Sequence, residues 1–317
     1  MSDIQFNSEE FLWVEKYRPQ KIEDCILDSG TKKQFSQIVK TGKVPNMLLS
    51  GPPGTGKTTV ARAMCNEIGM DYVIVNASEE RGLDVIRDKV ASFASTISMS
   101  GNGKCFILDE ADHLMPATQA ALRNASEAYS KSCSFIMTAN YPNKIIPALH
   151  SRFTSVDFAP TPKESDGMQA KFYMRVLDIL NNEGVEYDET VVATLVTKLF
   201  PDNRKILGAL QSYADQGKID EGILMKYADV EISNLIDYLR ERKFKSVLQW
   251  CEQNKDNDLS RMYERLYKEL KETIDKKSIP DMILILEDAQ RYDAVVPSRE
   301  LHLSALCTEL MNSIEFK

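Results

Sequence analysis

The sequence predicts an α/β protein: a parallel sheet flanked by helices, followed by two all-α segments. Three observations point there. Apolar, strand-like runs alternate with helical stretches through residue 160. Beyond Pro160 and Pro162 only helical spacing remains. A further break falls in "GILMKYADVE", residues 222–231. The expected segments are therefore 1–160, 161–227 and 228–317.

Five runs read as strands: "NMLLSG" (46–51), "YVIVNAS" (72–78), "CFILDE" (105–110), "CSFIMTAN" (133–140) and "SVDFAP" (155–160). They are continuously apolar rather than alternating. That is the pattern of strands buried on both faces, as in parallel sheets covered by helices. Between most of them lie helical stretches such as "KTTVARAMCNEIG" and "ATQAALRNASEAY". In the second segment "MQAKFYMRVLDILNNEG", "ETVVATLVTKLF" and "NRKILGALQSYADQG" carry helical periodicity. Gly184 and Gly217 sit where helix stops are expected. The third segment adds "ISNLIDYLRERKFKSVLQWCEQ", "LSRMYERLYKELKETI" and "IPDMILILEDAQRYDAV". No internal repeat or low-complexity tract is present.

Composition narrows the class. Of 317 residues, 43% are hydrophobic and 27% charged, the balance of a globular protein large enough for two or three domains. No apolar run nears the ~20 residues that span a bilayer, and the N-terminus lacks the basic and apolar blocks of a signal peptide. The expectation is a protein without a membrane. Six scattered cysteines (25, 65, 105, 133, 251 and 307) include no CxxC pair. This argues against zinc modules and disulfide frameworks and suits a reducing cytosol. The net charge of −8 is uneven: residues 1–160 hold 17 basic and 18 acidic residues, and 161–317 hold 22 and 29. A single chain lacks the basic surplus of most nucleic-acid binders. Any such contact needs a few placed cations or several chains pooling theirs.

The strongest motif is "GPPGTGKT", Gly51 to Thr58, which matches GxxxxGK[ST] in full between a strand and a helix. Glycines at 51, 54 and 56 let backbone N–H groups wrap a phosphate chain. Lys57 supplies charge to the β- and γ-phosphates, and Thr58 is placed to hold Mg²⁺. Some fifty residues later, "CFILDE" ends in Asp109 and Glu110. Asp109 is expected in the outer shell of the Mg²⁺, one step from the ion, and Glu110 to orient or deprotonate a lytic water. Residues 109–112 spell DEAD, but an RNA helicase needs a second nucleotide-closing core and a Ser-Ala-Thr after the next strand. Here only helices follow, and that strand ends Thr138-Ala139-Asn140. Asp112 is therefore read as an ordinary loop or helix-start residue. Asn140 can hydrogen-bond a γ-phosphate or the lytic water; it also reads as a turn residue before Pro142. Arg152, in "HSRF", has no partner in the local sequence. It reads as a cation that reaches a neighbouring subunit, or as a plain surface arginine. Arg204, in "FPDNRKIL", starts a helix from which it can touch the γ-phosphate in cis; otherwise it is a helix-surface cation.

Together and in this order, these motifs resemble the AAA+ ATPases. "WVEKYRP" (13–19) and "VNASEERGLDVIR" (75–87) are similar to signatures of sliding-clamp loader subunits. The family's SRC motif stands here as Ser151-Arg152-Phe153; the third letter departs and the arginine stays. Length and layout most resemble the ATPase subunits of T4-type bacteriophage clamp loaders.

The resemblance implies a P-loop AAA+ domain (1–160), a helical lid (161–227) and a helical collar for oligomerisation (228–317). It implies ATP and Mg²⁺ as cofactors, with Lys57, Asp109, Glu110, Asn140, Arg152 and Arg204 catalytic and Thr58 and Asp109 at the metal. Val14, Glu15, Lys16, Tyr17 and Ile26 are carried over to the nucleotide, with Arg18 and Pro19 bracing them, as are Pro53, Gly54, Thr55, Gly56, Thr58 and Thr59. The N-terminal set also reads as ordinary packing. Gln119 and Arg123 match positions that couple subunits, or lie on a solvated helix face. Arg81 matches a residue that touches template phosphates and restrains the catalytic glutamate. Arg87 and Lys89 are further phosphate candidates, and "EERGLDVIRDK" equally reads as a mixed-charge surface helix.

The implied partners are a sliding clamp and primer–template DNA held by its backbone. The implied assembly has about four copies, each offering a few cations to successive phosphates, plus a different loader subunit. The clamp-facing surface is expected to include "SFASTISMSG" (92–101), which also reads as a plain helix end and loop. The implied compartment is the cytoplasm, of the host cell if the protein is viral. Two other readings share the P-loop: a different AAA+ machine, such as a helicase loader or branch-migration motor, and an ATP-dependent scaffold that never turns over. "WVEKYRP" speaks against the first, and intact Lys57, Glu110 and Arg152 against the second.

Overall fold

The computed structural model describes residues 11–317 apart from 81, 99, 216, 226–231, 256–258 and 294. Five strands form one sheet: β1 (Met47–Ser50), β2 (Asp71–Asn76), β3 (Lys104–Asp109), β4 (Ser134–Ala139) and β5 (Thr154–Asp157). Their order is β2-β3-β4-β1-β5, and every pairing is parallel. Each falls inside or within a residue of its expected run.

Side chains alternate across the sheet with period two. Met47, Leu49, Cys105, Ile107 and Ile136 meet Phe35 from the helix Ser29–Thr41 and Val60 and Met64 from the helix Lys57–Ile68. Leu48, Phe106, Leu108, Phe135 and Met137 face the other way. They meet Ile86 and Val90 of the helix Leu83–Ser95 and Leu122 of the helix Pro116–Ala128. Both faces are therefore dry, which is why the strands read as unbroken apolar runs.

The chain leaves β1 for the far edge, returns through β3 and β4, and passes β1 again to reach β5. In sheets of this kind the crevice beyond the carboxyl ends at such a reversal collects ligands. The carboxyl ends of β1, β3 and β4 carry Gly51, Glu110 and Asn140 in the adjoining turns.

Three longer helices follow, Pro162–Asn182, Glu189–Leu199 and Asn203–Ala214. Asp188 and Asp202 cap the second and third, accepting from Thr190 N and Val191 N and from Lys205 N. Gly184, at φ 67°, follows the first helix, in keeping with its place in the sequence. Their shared core includes Trp13 and Tyr17 from the N-terminal segment. That segment is tied down by polar contacts as well. Trp13 N donates to Gln211 Oε1 at 2.9 Å, and Lys16 Nζ to Glu183 at 2.6 Å. The Tyr17 hydroxyl donates to the same Glu183 oxygen.

The chain divides into two compact units, Met1–Tyr227 and Ala228–Lys317. The second unit is helical: Ile232–Arg240, Phe244–Asn254, Leu259–Thr273, Ile279–Tyr292 and Arg299–Ser313. Its core gathers Leu235, Trp250, Leu266, Met282 and Leu310. Two features depart from expectation. The stretch that reads as one helical run from Ile232 breaks at Arg242, whose φ is 51°. The final helix, Arg299–Ser313, has no counterpart among the expected runs. All six cysteines are buried free thiols. Among the described residues, no helix is long and apolar enough to cross a membrane.

Candidate active site

The turn after β1 and the first turn of the helix Lys57–Ile68 form the floor of a cavity, lined by Pro53, Gly54, Thr55, Gly56, Lys57, Thr58 and Thr59. Gly54 and Gly56 have φ of 74° and 90°, a region that side chains rarely adopt. Gly54 has a second reason to lack one: a Cβ there would lie 1.9 Å from Asp202 Oδ1. Asn203 N also donates to Gly54 O at 3.2 Å. The turn is thus in direct contact with the cap of the helix that carries Arg204.

Lys57 Nζ donates to Gly51 O, Pro52 O and Asn140 Oδ1, each at 2.8 Å. Burial pulls its ammonium down to about 8, against the opposing pull of Asp109 and Asp112. Thr58 Oγ1 donates to Asp109 Oδ1 at 2.6 Å. Glu110 follows with φ 56°, a left-handed backbone unusual for a non-glycine residue. Asp109, Glu110, Asn140 and Arg204 all line the cavity.

The opposite wall is apolar. Val14, Tyr17 and Ile26 line it, with Pro19, Phe172 and Leu207. Arg18 also lines it and donates to Thr59 Oγ1 at 3.0 Å. A polar, cation-bearing floor beside an apolar wall matches the two ends of a nucleoside triphosphate.

Several expectations need correction. Glu15 and Lys16 do not line the cavity. Glu15 binds the Arg18 guanidinium, whose hydrogen bond holds its carboxyl below the usual range, and Lys16 is engaged by Glu183. Arg152, expected to act on a neighbouring subunit, does not line this cavity and pairs with Glu127 on the helix Pro116–Ala128, distant in sequence.

Gln119 is not on a solvated face. It is 1% exposed, donates to Leu114 O and Lys144 O, and accepts from Ile146 N at 2.8 Å. Arg123, on the same helix, is half-buried. Asp112 is buried in a short 3₁₀ turn, and its carboxylate accepts from Asn140 N and Tyr141 N at 3.3 Å each. Neither Gln119 nor Asp112 has a signal in local sequence, because their partners include groups 25 or more residues away.

Arg81 lies outside the described residues. Arg87 belongs to the helix Leu83–Ser95, and Lys89 is paired with Glu80 at 2.6 Å. Past that helix Ile97 is 91% exposed. Buried Lys104 holds the preceding turn through Phe93 O and Thr96 O at 2.8 and 2.6 Å.

Among the lining residues without a signal taken up from the sequence, three carry hydroxyl, guanidinium or amide groups: Thr138, Arg175 and Asn203. Thr138 is legible as the one polar residue inside the apolar run "FIMTA". Arg175, which donates to Asp24 O at 2.5 Å, sits inside an amphipathic helix and carries no motif.

This sheet order, glycine turn and acidic strand end define an ATPase of the AAA+ class. Residues 47–161 match the model of the ATPase family associated with various cellular activities. Residues 164–225 match the AAA+ ATPase lid domain of the sliding-clamp-loader large subunit, and 258–315 its C-terminal domain. The chain belongs to the family of sliding-clamp-loader large subunits.

It is 35% identical to the member from Enterobacteria phage T4, over 99% of this chain and 100% of that one. Identity to the member from Escherichia phage RB69 is 34%, at the same coverage. The replication factor C small subunit of Sulfurisphaera tokodaii is 39% identical over 67% of this chain and 64% of its own. Among solved structures, the Thermotoga maritima RuvB Holliday junction branch migration motor aligns with TM-score 0.51 at 18% identity. That alignment covers 66% of this chain and 71% of the motor, and shows a shared fold alone. The chain is thus an AAA+ ATPase subunit of a clamp loader in DNA replication.

Proposed function

We propose that ATP binding by this chain organises an assembly that opens a sliding clamp, admits primer–template DNA, and releases the closed clamp on hydrolysis. One observation carries the reading. The proposed catalytic residues line one cavity except Arg152, which is engaged elsewhere in its own chain. A site short of one cation is completed by a neighbour, so assembly and hydrolysis become linked equilibria. About four copies with a different loader subunit supply such neighbours.

In this reading the adenine lies against Val14, Tyr17 and Ile26, and the triphosphate lies along Gly54–Thr58. Lys57 neutralises the β- and γ-phosphates. Thr58 and Asp109 form an all-oxygen donor pair 2.6 Å apart, which fits a hard cation that keeps water and phosphate among its ligands. Mg²⁺ held there would supply charge neutralisation on the phosphate oxygens. Glu110 takes the proton of the water whose oxygen attacks the γ-phosphorus as the bond to the β–γ bridging oxygen breaks. Asn140 orients that water or the γ-phosphate. Arg204 reaches the γ-phosphate from the lid, and the neighbour's copy of Arg152 stabilises the charge that moves to the leaving oxygen.

DNA would be held by its phosphates, through Arg81, Arg87 and Lys89 pooled over several chains. A first segment with 17 basic and 18 acidic residues cannot grip DNA alone. The exposed loop after the helix Leu83–Ser95 would face the clamp. The place of action would be the host cytoplasm.

ATP turnover of the assembled complex, with primer–template DNA and clamp added separately and together, tests the reading. The expected result is stimulation by both, greatest in combination, and abolished by Glu110→Gln. A rate indifferent to clamp and DNA contradicts it, and a branch-migration motor would ignore the clamp.

A further inference from the structure

We propose that Thr138 is a positioning residue for hydrolysis: its hydroxyl sets the Asp109 carboxylate and the Glu110 backbone at once. The inference rests on the reading that Asp109 and Glu110 carry the chemistry.

Thr138 lies in the central strand β4 and is 1% exposed. On the β1 side its backbone is in register with Leu49. On the β3 side the ladder ends one residue earlier, at Leu108 and Met137. Beyond that point no backbone carbonyl of β4 is in register to receive the Glu110 N–H. The Thr138 side chain takes this place: Glu110 N donates to Thr138 Oγ1 at 3.0 Å. The same hydroxyl donates to Asp109 Oδ1 at 2.5 Å.

Two consequences follow. Asp109 Oδ1 receives two hydroxyls, from Thr58 at 2.6 Å and from Thr138, which fixes the rotation of the carboxylate. Glu110 is held in a left-handed backbone, φ 56°, by a bond to its own N–H. Conformations of this kind persist only when their surroundings over-determine them. Releasing the hydroxyl therefore leaves Asp109 Oδ1 with the Thr58 hydroxyl alone and the Glu110 N–H without its acceptor, while the nucleotide-binding turn keeps its own sequence. Groups that orient metal-holding side chains typically matter about 10- to 100-fold in affinity or activity.

A filling role and an orienting role separate by substitution. Thr138→Val keeps volume and β-branching but can neither donate nor accept. Thr138→Ser loses a methyl and keeps both bonds. A residue needed only for packing tolerates valine better than serine; an orienting residue does the reverse.

The test uses the assembled complex with clamp and primer–template DNA. Turnover is compared for wild type, Thr138→Val, Thr138→Ser and Glu110→Gln, and thermal melting checks the fold. Thr138→Val is expected to lower kcat by at least about tenfold while KM for ATP stays within about threefold. Thr138→Ser should stay within about threefold of wild type in both.

A second readout needs no turnover: binding of a fluorescent ATP analogue, titrated with Mg²⁺. Thr138→Val should need about tenfold more Mg²⁺ for half-saturation, while Mg²⁺-free binding is unchanged. If the valine variant does not fold, Thr138→Ala takes its place with the same expectations. Wild-type kcat and Mg²⁺ dependence in the valine or alanine variant overturns the proposal. Equal impairment of the serine and valine variants also overturns it. If Glu110→Gln still hydrolyses ATP, the underlying assignment of the chemistry fails instead.

Discussion

Lys57 Nζ lies 2.8 Å from Asn140 Oδ1, so the first turn of the nucleotide-binding helix is tied to the end of β4. Through Asn140 N, the same point is tied to buried Asp112. The lysine keeps two carbonyl acceptors if the amide is lost. Asn140→Ala should therefore weaken ATP binding by no more than about threefold and lower turnover by about 10- to 100-fold. Equilibrium binding of labelled ATP beside steady-state turnover checks the split. A large loss of binding with unchanged kcat would assign Asn140 to ground-state binding.

Arg152 and Glu127 form an ion pair in which both side chains are more than a third exposed. Such pairs contribute about 0–1 kcal/mol. Glu127→Gln should accordingly leave the unfolding free energy of the isolated chain within about 1 kcal/mol, and so should Arg152→Ala. In the assembly the two differ: Arg152→Ala should lose turnover by about 10³-fold or more, while Glu127→Gln retains it. Chemical denaturation and ATP turnover, measured on the same preparations, separate the two roles.

Gln119 satisfies three backbone groups from inside the protein. Gln119→Leu removes the partner of the half-buried Ile146 N–H and of two carbonyls, of which that of Leu114 is buried. The expected loss is about 1–3 kcal/mol, because a buried group without its partner forfeits its solvation. Thermal melting should fall by about 2–4 °C for each kcal/mol. An unchanged melting temperature would mean that water reaches the site.

Glu183 joins the N-terminal segment to the lid. Burial alone would raise its carboxyl, but the hydrogen bonds from Lys16 and Tyr17 outweigh that and hold it below its ordinary 4.5. A carboxyl with a lower pKa folded than unfolded adds stability above the unfolded value and loses it as pH falls through the folded one. As pH falls below 4.5 the wild type should therefore lose melting temperature more steeply than Glu183→Gln. Parallel slopes for the two proteins would show that the contact does not hold the lid.

The sheet and the nucleotide-binding turn are legible in sequence because their causes are local. Both faces of the sheet are covered, so the strands appear as apolar runs, and a phosphate-binding turn needs its glycines at fixed spacing. What is not legible depends on partners distant in sequence. Gln119 reads as a subunit-coupling or solvated-face residue and Asp112 as a loop or helix-start residue, because the carbonyls and N–H groups they meet include ones across the fold. Lys16 reads as a nucleotide contact until Glu183 is brought beside it. Arg242 interrupts a helical run with no glycine or proline to announce the break. The last helix begins at Arg299, after Ser298, whose hydroxyl accepts from Leu301 N at 3.3 Å. That Ser cap is readable, but the helix's charged first turn hides the apolar face formed by Leu303, Leu306 and Leu310.

If each nucleotide site is shared between chains, as proposed, two disabled variants should rescue one another when mixed. Arg152→Ala assemblies keep an intact pocket but lack the donated guanidinium; Glu110→Gln assemblies have the reverse. Each alone should be inactive with clamp and DNA. Co-assembled, they should recover measurable turnover at the junctions where an intact pocket meets an intact arginine. Full turnover by Arg152→Ala assemblies on their own would show that each site is complete within one chain.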